Sequence, residues 1–140
     1  MVIRTPVILA AVFAASLAAA VAATPPNANA NGKSIFQIGR DLTGTNVGAA
    51  QKPPVPACAA CHHVDGSGGM KIGRNVVSAD LRHANLVTHQ KHPYTQALLE
   101  RAISAGIDND GKKLDAAMPR WKLSKRDLHD VAQYVLTQLK

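Results

Sequence analysis

The chain has only two cysteines in 140 residues, Cys58 and Cys61, separated by Ala59 and Ala60. That scarcity excludes a disulfide-stapled scaffold and a zinc site built from cysteine alone. Aromatic residues are almost as scarce: Phe13, Phe36, Tyr94, Trp121 and Tyr134 are the full set. So few large rings make a thin core for a small domain, unless something else fills its centre. Alternating apolar and polar runs are missing, which excludes a sheet-built domain and leaves an all-α fold. Acidic residues are in the minority, nine against sixteen Lys and Arg, for a formal charge of +7. A basic surface suits docking on acidic proteins. Basic and aromatic residues do not interleave as they do in nucleic-acid binders, so no nucleic-acid partner is expected.

The one long apolar run, Val7 to Val21, follows Met1 and Arg4 and ends in the small residues Ala20-Val21-Ala22-Ala23. This is the pattern of a secretory signal peptide, read here as residues 1–23 and cleaved before Thr24. An uncleaved anchor is the competing reading, but the run is alanine-rich and short against the ~20 apolar residues that span a bilayer. No twin-arginine pair precedes it, and no cysteine at the cleavage site could carry a lipid. The expected location is periplasmic, with no membrane span once the signal is removed. Residues 24–31 are rich in Pro, Asn and Ala and read as a flexible leader. Residues 32–140 form a single domain.

Within it, Gly32 to Leu42 predicts a first helix and Thr43 to Ala57 a loop. The Cys58–His62 segment opens a helical turn, and Asp65-Gly66-Ser67-Gly68-Gly69 follows as a turn. A short helix is expected near Ser78–Ala84. Pro93, capped by His92, begins a helix whose face is Tyr94, Leu98, Leu99, Ala102 and Ile103, stopped by Gly106. Asp108-Asn109-Asp110-Gly111 lacks the EF-hand offsets and reads as a polar turn. Ser124 caps the last helix with Asp127 three positions on, and Leu128, Val131, Ala132, Val135, Leu136 and Leu139 form its buried face.

What the chain does have is Cys58-Ala59-Ala60-Cys61-His62. C-x-x-C-H is the attachment signature of c-type haem. Two thiols at this spacing can form thioethers to the two vinyl groups on one porphyrin edge, and the adjacent imidazole is then held as an axial ligand to iron. A redox dithiol would want the motif opening a helix after a strand, whereas Pro53, Pro54 and Pro56 precede it. Zinc would want a second ligand pair, and His89 and His92 lie too far downstream. A structural disulfide across two residues would gain little. Haem attachment takes place on the oxidising side of a membrane, in accord with the export signal.

Met118 is the candidate for the sixth iron ligand. Thioether sulfur is a soft ligand, and Pro119 stiffens the loop that presents it. Its rivals are poorly placed: Met1 lies in the signal, and Met70 sits in a turn on the attachment side. His63 points away from its neighbour's position, and His83, His89, His92 and His129 read as surface or helix-capping side chains. A methionine that merely fills the core is the ordinary alternative.

Taken together, the attachment motif, the Gly-rich turn after it, Met118-Pro119 and the closing amphipathic helix resemble the small monohaem class I cytochrome c family. The run Met118-Pro119-Arg120-Trp121-Lys122-Leu123-Ser124 is closest to bacterial, exported members. The resemblance implies one covalent haem c, axial ligands His62 and Met118, and electron transfer without substrate chemistry, hence no enzyme activity of its own. It also implies that the glycine in Gly32-Lys33-Ser34-Ile35-Phe36 lets the first and last helices cross closely, with Phe36 meeting Val131 and Tyr134. In this chain the loop before Cys58 is longer than in many members. No proline lies in Lys71–Val77, where members often place the one whose carbonyl accepts the His62 ring N–H, so that acceptor is unassigned. Arg120, Lys122, Lys125 and Arg126 are candidates for a docking rim facing acidic redox partners, and Arg74 and Trp121 for contact with a haem propionate. The protein is expected to be a monomeric carrier or the electron-transfer subunit of a periplasmic oxidoreductase. An open sixth position, for gas or peroxide, is the remaining alternative.

Overall fold

Ser124 fixes the start of the longest helix. Its hydroxyl oxygen accepts from the Asp127 N–H at 3.1 Å while the hydroxyl donates to the Asp127 carboxylate at 2.6 Å. One of the free N–H groups at the helix start is thereby satisfied, and a negative charge sits at the positive end of the helix dipole. In the computed structural model, which describes residues 27–49 and 54–140, this helix is Lys125–Gln138. The signal expected over residues 1–23 lies outside the described residues. In chain order the elements are α1 (Ala28–Ile38), α2 (Ala59–His62), β1 (Lys71–Ile72), β2 (Val76–Val77), a π-helical turn (Ala84–Thr88), α3 (Gln96–Ala105) and α4 (Lys125–Gln138).

Helix α1 begins and ends four residues earlier than the Gly32–Leu42 spacing suggested, so Ala28 to Asn31 of the expected leader are helical. The cause is Asn31. Its side chain is buried and donates to Asp127 at 3.0 Å and Asp130 at 2.8 Å, while its oxygen accepts the Leu42 N–H at 2.9 Å. Three partners, two of them on α4, hold this end of α1 down. The helix stops at Gly39, whose φ of 75° closes it with bonds back to Ser34 and Ile35.

Helices α1 and α4 cross at Gly32. A Cβ there would overlap the Asp130 carbonyl oxygen and come within 2.6 Å of Tyr134 Cβ, so only glycine allows this approach. Phe36 and Val131 are fully buried beside the crossing, and the Phe36 and Tyr134 rings lie 5.7 Å apart, tilted by 50°. Each fully buried apolar side chain stabilises the fold by roughly 1.5–3 kcal/mol. Leu99, Ala102 and Ile103 of α3 complete the core against α4.

The middle of the chain departs from the sequence expectation in three places. Lys71–Ile72 and Val76–Val77 pair as a small antiparallel hairpin, too short to show any alternation. The helical turn falls at Ala84–Thr88 rather than near Ser78–Ala84. Helix α3 starts at Gln96, capped by Thr95 rather than His92, because the Tyr94 N–H is already bonded to the Leu86 carbonyl at 2.9 Å. Gly106 ends α3 as expected, and Asp108 accepts from the Asp110 and Lys112 N–H groups in a polar turn. Among the described residues no helix is long and apolar enough to cross a membrane.

Candidate functional site

The three long helices do not close on one another completely. They leave a cavity of about 610 Å³ whose wall includes Cys58, Cys61, His62, Met118 and Trp121. That volume is in the range of a cofactor site. Apolar side chains such as Phe36, Leu99 and Val135 form much of the remaining lining. The cavity is thus the missing centre that the scarcity of aromatics foreshadowed.

Helix α2 brings the two thiols and the imidazole to one wall. Its first bond, from the His62 N–H to the Cys58 carbonyl at 3.0 Å, turns the motif through one helical turn. Immediately after it, His63 adopts φ 61° and is exposed, so its ring leaves the cavity. Both thiols are free. Desolvation pushes the Cys58 thiol up to about 12, which keeps it neutral at physiological pH and unlike the low-pKa thiolate of a redox dithiol.

His62 is buried, and its Nδ1 lies 2.8 Å from the carbonyl oxygen of Ala79. A carbonyl can only accept, so Nδ1 carries the proton and Nε2 keeps the lone pair. Burial lowers the imidazole pKa despite that bond, which favours the neutral, ligating form. Ala79 therefore supplies the acceptor that the sequence left unassigned. The β1–β2 hairpin carries the chain back to it: the Gly69 N–H bonds the Ser78 carbonyl at 2.9 Å, and Ser78 Oγ accepts from the Met70 N–H at 2.9 Å.

Just beyond Ala79, Arg82 grips Asp80 through Nη2 at 2.5 Å and Nε at 3.0 and 3.1 Å. The guanidinium holds the Asp80 carboxyl at about 2, below its ordinary 3.8. A carboxyl whose pKa is lowered by folding stabilises the fold above its unfolded value and ceases to as pH falls toward the folded one. The Asp80→Asn variant is therefore expected to lose less stability than the parent between pH ~4 and ~2. Denaturation midpoints measured across that window check this, and superimposable acid limbs for the two proteins would refute it.

Met118 reaches the cavity from the loop between α3 and α4, followed by buried Pro119 and Trp121. The Trp121 side chain is 3 % exposed, and its Nε1–H has no acceptor among the described residues. A buried indole N–H needs one. Arg74 lies exposed in the hairpin turn, away from the cavity wall. Arg120 does not join the exposed rim with Lys122, Lys125 and Arg126. Its guanidinium turns inward and donates to the carbonyls of Leu114 at 2.8 Å, Asp115 at 3.3 Å and Met118.

Of the other histidines, His83 caps the end of α4 through the Leu136 carbonyl at 2.9 Å, His92 pairs with Asp110, and His129 with Glu100. His89 reaches the cavity rim but is exposed. No three His, Cys, Asp or Glu side chains converge as a metal cage among the described residues.

This wall fits a covalently held haem on several counts. It offers two free thiols, an imidazole whose free nitrogen is Nε2, a thioether, a largely apolar lining, and an indole donor suited to a carboxylate arm. A family model described as cytochrome c matches residues 30–138. No curated protein and no solved structure matches the chain.

Proposed function

The chain belongs to the cytochrome c family and carries covalently bound haem c, and on that premise we propose that it is an exported, periplasmic electron carrier with His62 and Met118 as its axial ligands. The observation that carries this reading is that both thiols, the His62 ring and Met118 line one and the same cavity. The bound iron supplies a one-electron couple. The protein's part is to hold both ligands while that couple turns over and to keep water away from it.

Each side chain has a distinct task. Cys58 and Cys61 would hold the group permanently through two thioethers, the S–H of each thiol being taken up across one vinyl double bond. Ala79 orients the His62 ring and raises its basicity through the Nδ1 bond. Met118 would supply a soft neutral sulfur donor that favours the reduced state. Trp121 offers its indole N–H to a propionate, and the apolar wall lowers the local dielectric. Lys122, Lys125 and Arg126 are exposed and suit encounter with acidic partners. Periplasmic location rests on the export pattern of residues 1–23, which also matches where haem attachment occurs.

The test uses the purified holoprotein. After denaturation the chain should retain the mass of one haem, and the ferric form should show the weak far-red band of sulfur-to-iron charge transfer. Haem that extracts freely into acidified solvent would overturn the attachment. Rapid carbon monoxide binding to the ferrous form, with no far-red band, would favour the open-site alternative. Stable co-purification with a periplasmic oxidoreductase would identify a dedicated subunit rather than a free shuttle.

A further inference from the structure

We propose that Arg120 is the positioning residue for Met118, an internal clamp rather than part of the docking surface; the inference rests on the His62/Met118 reading above. The loop from Leu114 to Trp121 hangs from the C-terminal end of α3. The Leu114 N–H bonds the Gly106 carbonyl at 2.9 Å, and the Trp121 N–H bonds the Ile103 carbonyl at 3.1 Å. Those two bonds fix its ends but leave the residues between them, Met118 included, without a tie to α3.

The Arg120 guanidinium ties those residues to one another instead. It bridges three carbonyls of the loop, those of Leu114, Asp115 and Met118. Charged donors make hydrogen bonds roughly twice as strong as neutral ones, and the planar fork can serve several acceptors at once without moving. No carboxylate pairs with it among the described residues, so its charge is met by these carbonyl dipoles. The guanidinium also lies directly on Gly106, where any Cβ would overlap Nε and Cζ. Gly106 thus does two things: at φ 67° it ends α3, and it provides the flat seat on which the clamp rests. The clamp reaches the Met118 backbone itself, so the sulfur is presented by a loop ordered before ligation. A lysine could occupy the space but, as a point charge on a flexible stem, lacks the rigid fork that serves all three carbonyls from one fixed position.

Loss of the clamp should let the sulfur leave iron without unfolding the domain. Imidazole added to the ferric holoprotein competes for the sixth position, and its apparent affinity scales with the fraction of molecules whose sulfur is off. With a net worth of about 1 kcal/mol or more for the bonds lost, Arg120→Ala should bind imidazole roughly fivefold or more tightly. Arg120→Lys should fall between it and the parent. The far-red band should disappear at a denaturant concentration well below the far-UV circular dichroism transition in Arg120→Ala, while the two stay close in the parent. An unchanged imidazole affinity in both variants would overturn the clamp, as would a band and a dichroism transition that shift together by the same amount. If Arg120→Ala does not fold, the lysine variant alone decides between these outcomes. A parent protein that itself lacks the far-red band would instead overturn the His62/Met118 reading, and the clamp with it.

Discussion

The Met118→Ala holoprotein is expected to have a midpoint potential lower than the parent's by on the order of 100 mV. It should also lack the far-red band and bind carbon monoxide when reduced. The thioether is a neutral, polarisable donor that stabilises Fe(II) over Fe(III), so its removal favours the oxidised state. His62, the other ligand of the proposed pair, would be kept a strong donor by the Nδ1–H bond to Ala79. The potential is the balance of those two ligands, and only one has been changed. Met118→His serves as the control: it should lower the potential too, because imidazole is a harder donor, yet keep the sixth position closed to carbon monoxide. Potentiometric titration with spectra taken at each point reads all three quantities. A potential for Met118→Ala within experimental scatter of the parent would mean that Met118 is a core-filling side chain and that another group binds iron.

Gly32→Val should cost about 3 kcal/mol of folding stability, seen as a thermal midpoint lower by roughly 10–20 °C. The new Cβ alone would overlap the Asp130 carbonyl oxygen and come within 2.6 Å of Tyr134 Cβ, before its two methyl groups are added. Both are parts of α4 that cannot yield without moving the helix. Displacing α4 opens the packing of Phe36 against Val131 and Tyr134. It also stretches the Asn31 bonds to Asp127 and Asp130, the second of which is 2.8 Å long and buried. Overpacking at a rigid backbone contact is therefore compounded by a polar network that loses its geometry. Chemical denaturation of the holoprotein measures the effect, and a loss below about 1 kcal/mol would show that the crossing has slack.

Where the chain announces its structure, it does so through residue types with a single physical use. Cys58, Cys61 and His62 stand out because covalent attachment constrains spacing, and the structure brings them to one cavity wall; the Ser124–Asp127 cap is legible because its bonds are local. The α1–α4 crossing at Gly32 was visible only through resemblance, since a lone glycine does not reveal what approaches it. Ala79 could not be found at all. The acceptor behind His62 is a backbone carbonyl, which every residue possesses, and it arrives by a hairpin whose strands are two residues each. Arg120 was misread for a related reason: an arginine beside Lys122 and Lys125 looks like surface charge until its carbonyl partners are known. The starts of α1 and α3 shifted because Asn31 and Tyr94 find partners on distant segments, and no propensity records a distant partner.

The long segment between α1 and the attachment motif is fastened at its base. Gly39 lies against the carbonyl of Pro56, the Val47 N–H bonds the Gly39 carbonyl at 2.8 Å, and the Ala49 N–H bonds the Val55 carbonyl at 3.0 Å. The chain therefore leaves and returns through one gate before Cys58 begins. Position of the thiols depends on that gate and not on how many residues lie beyond it. The segment is in effect a graft site: an engineer can shorten it, lengthen it or splice in a recognition module without re-aiming the thiols.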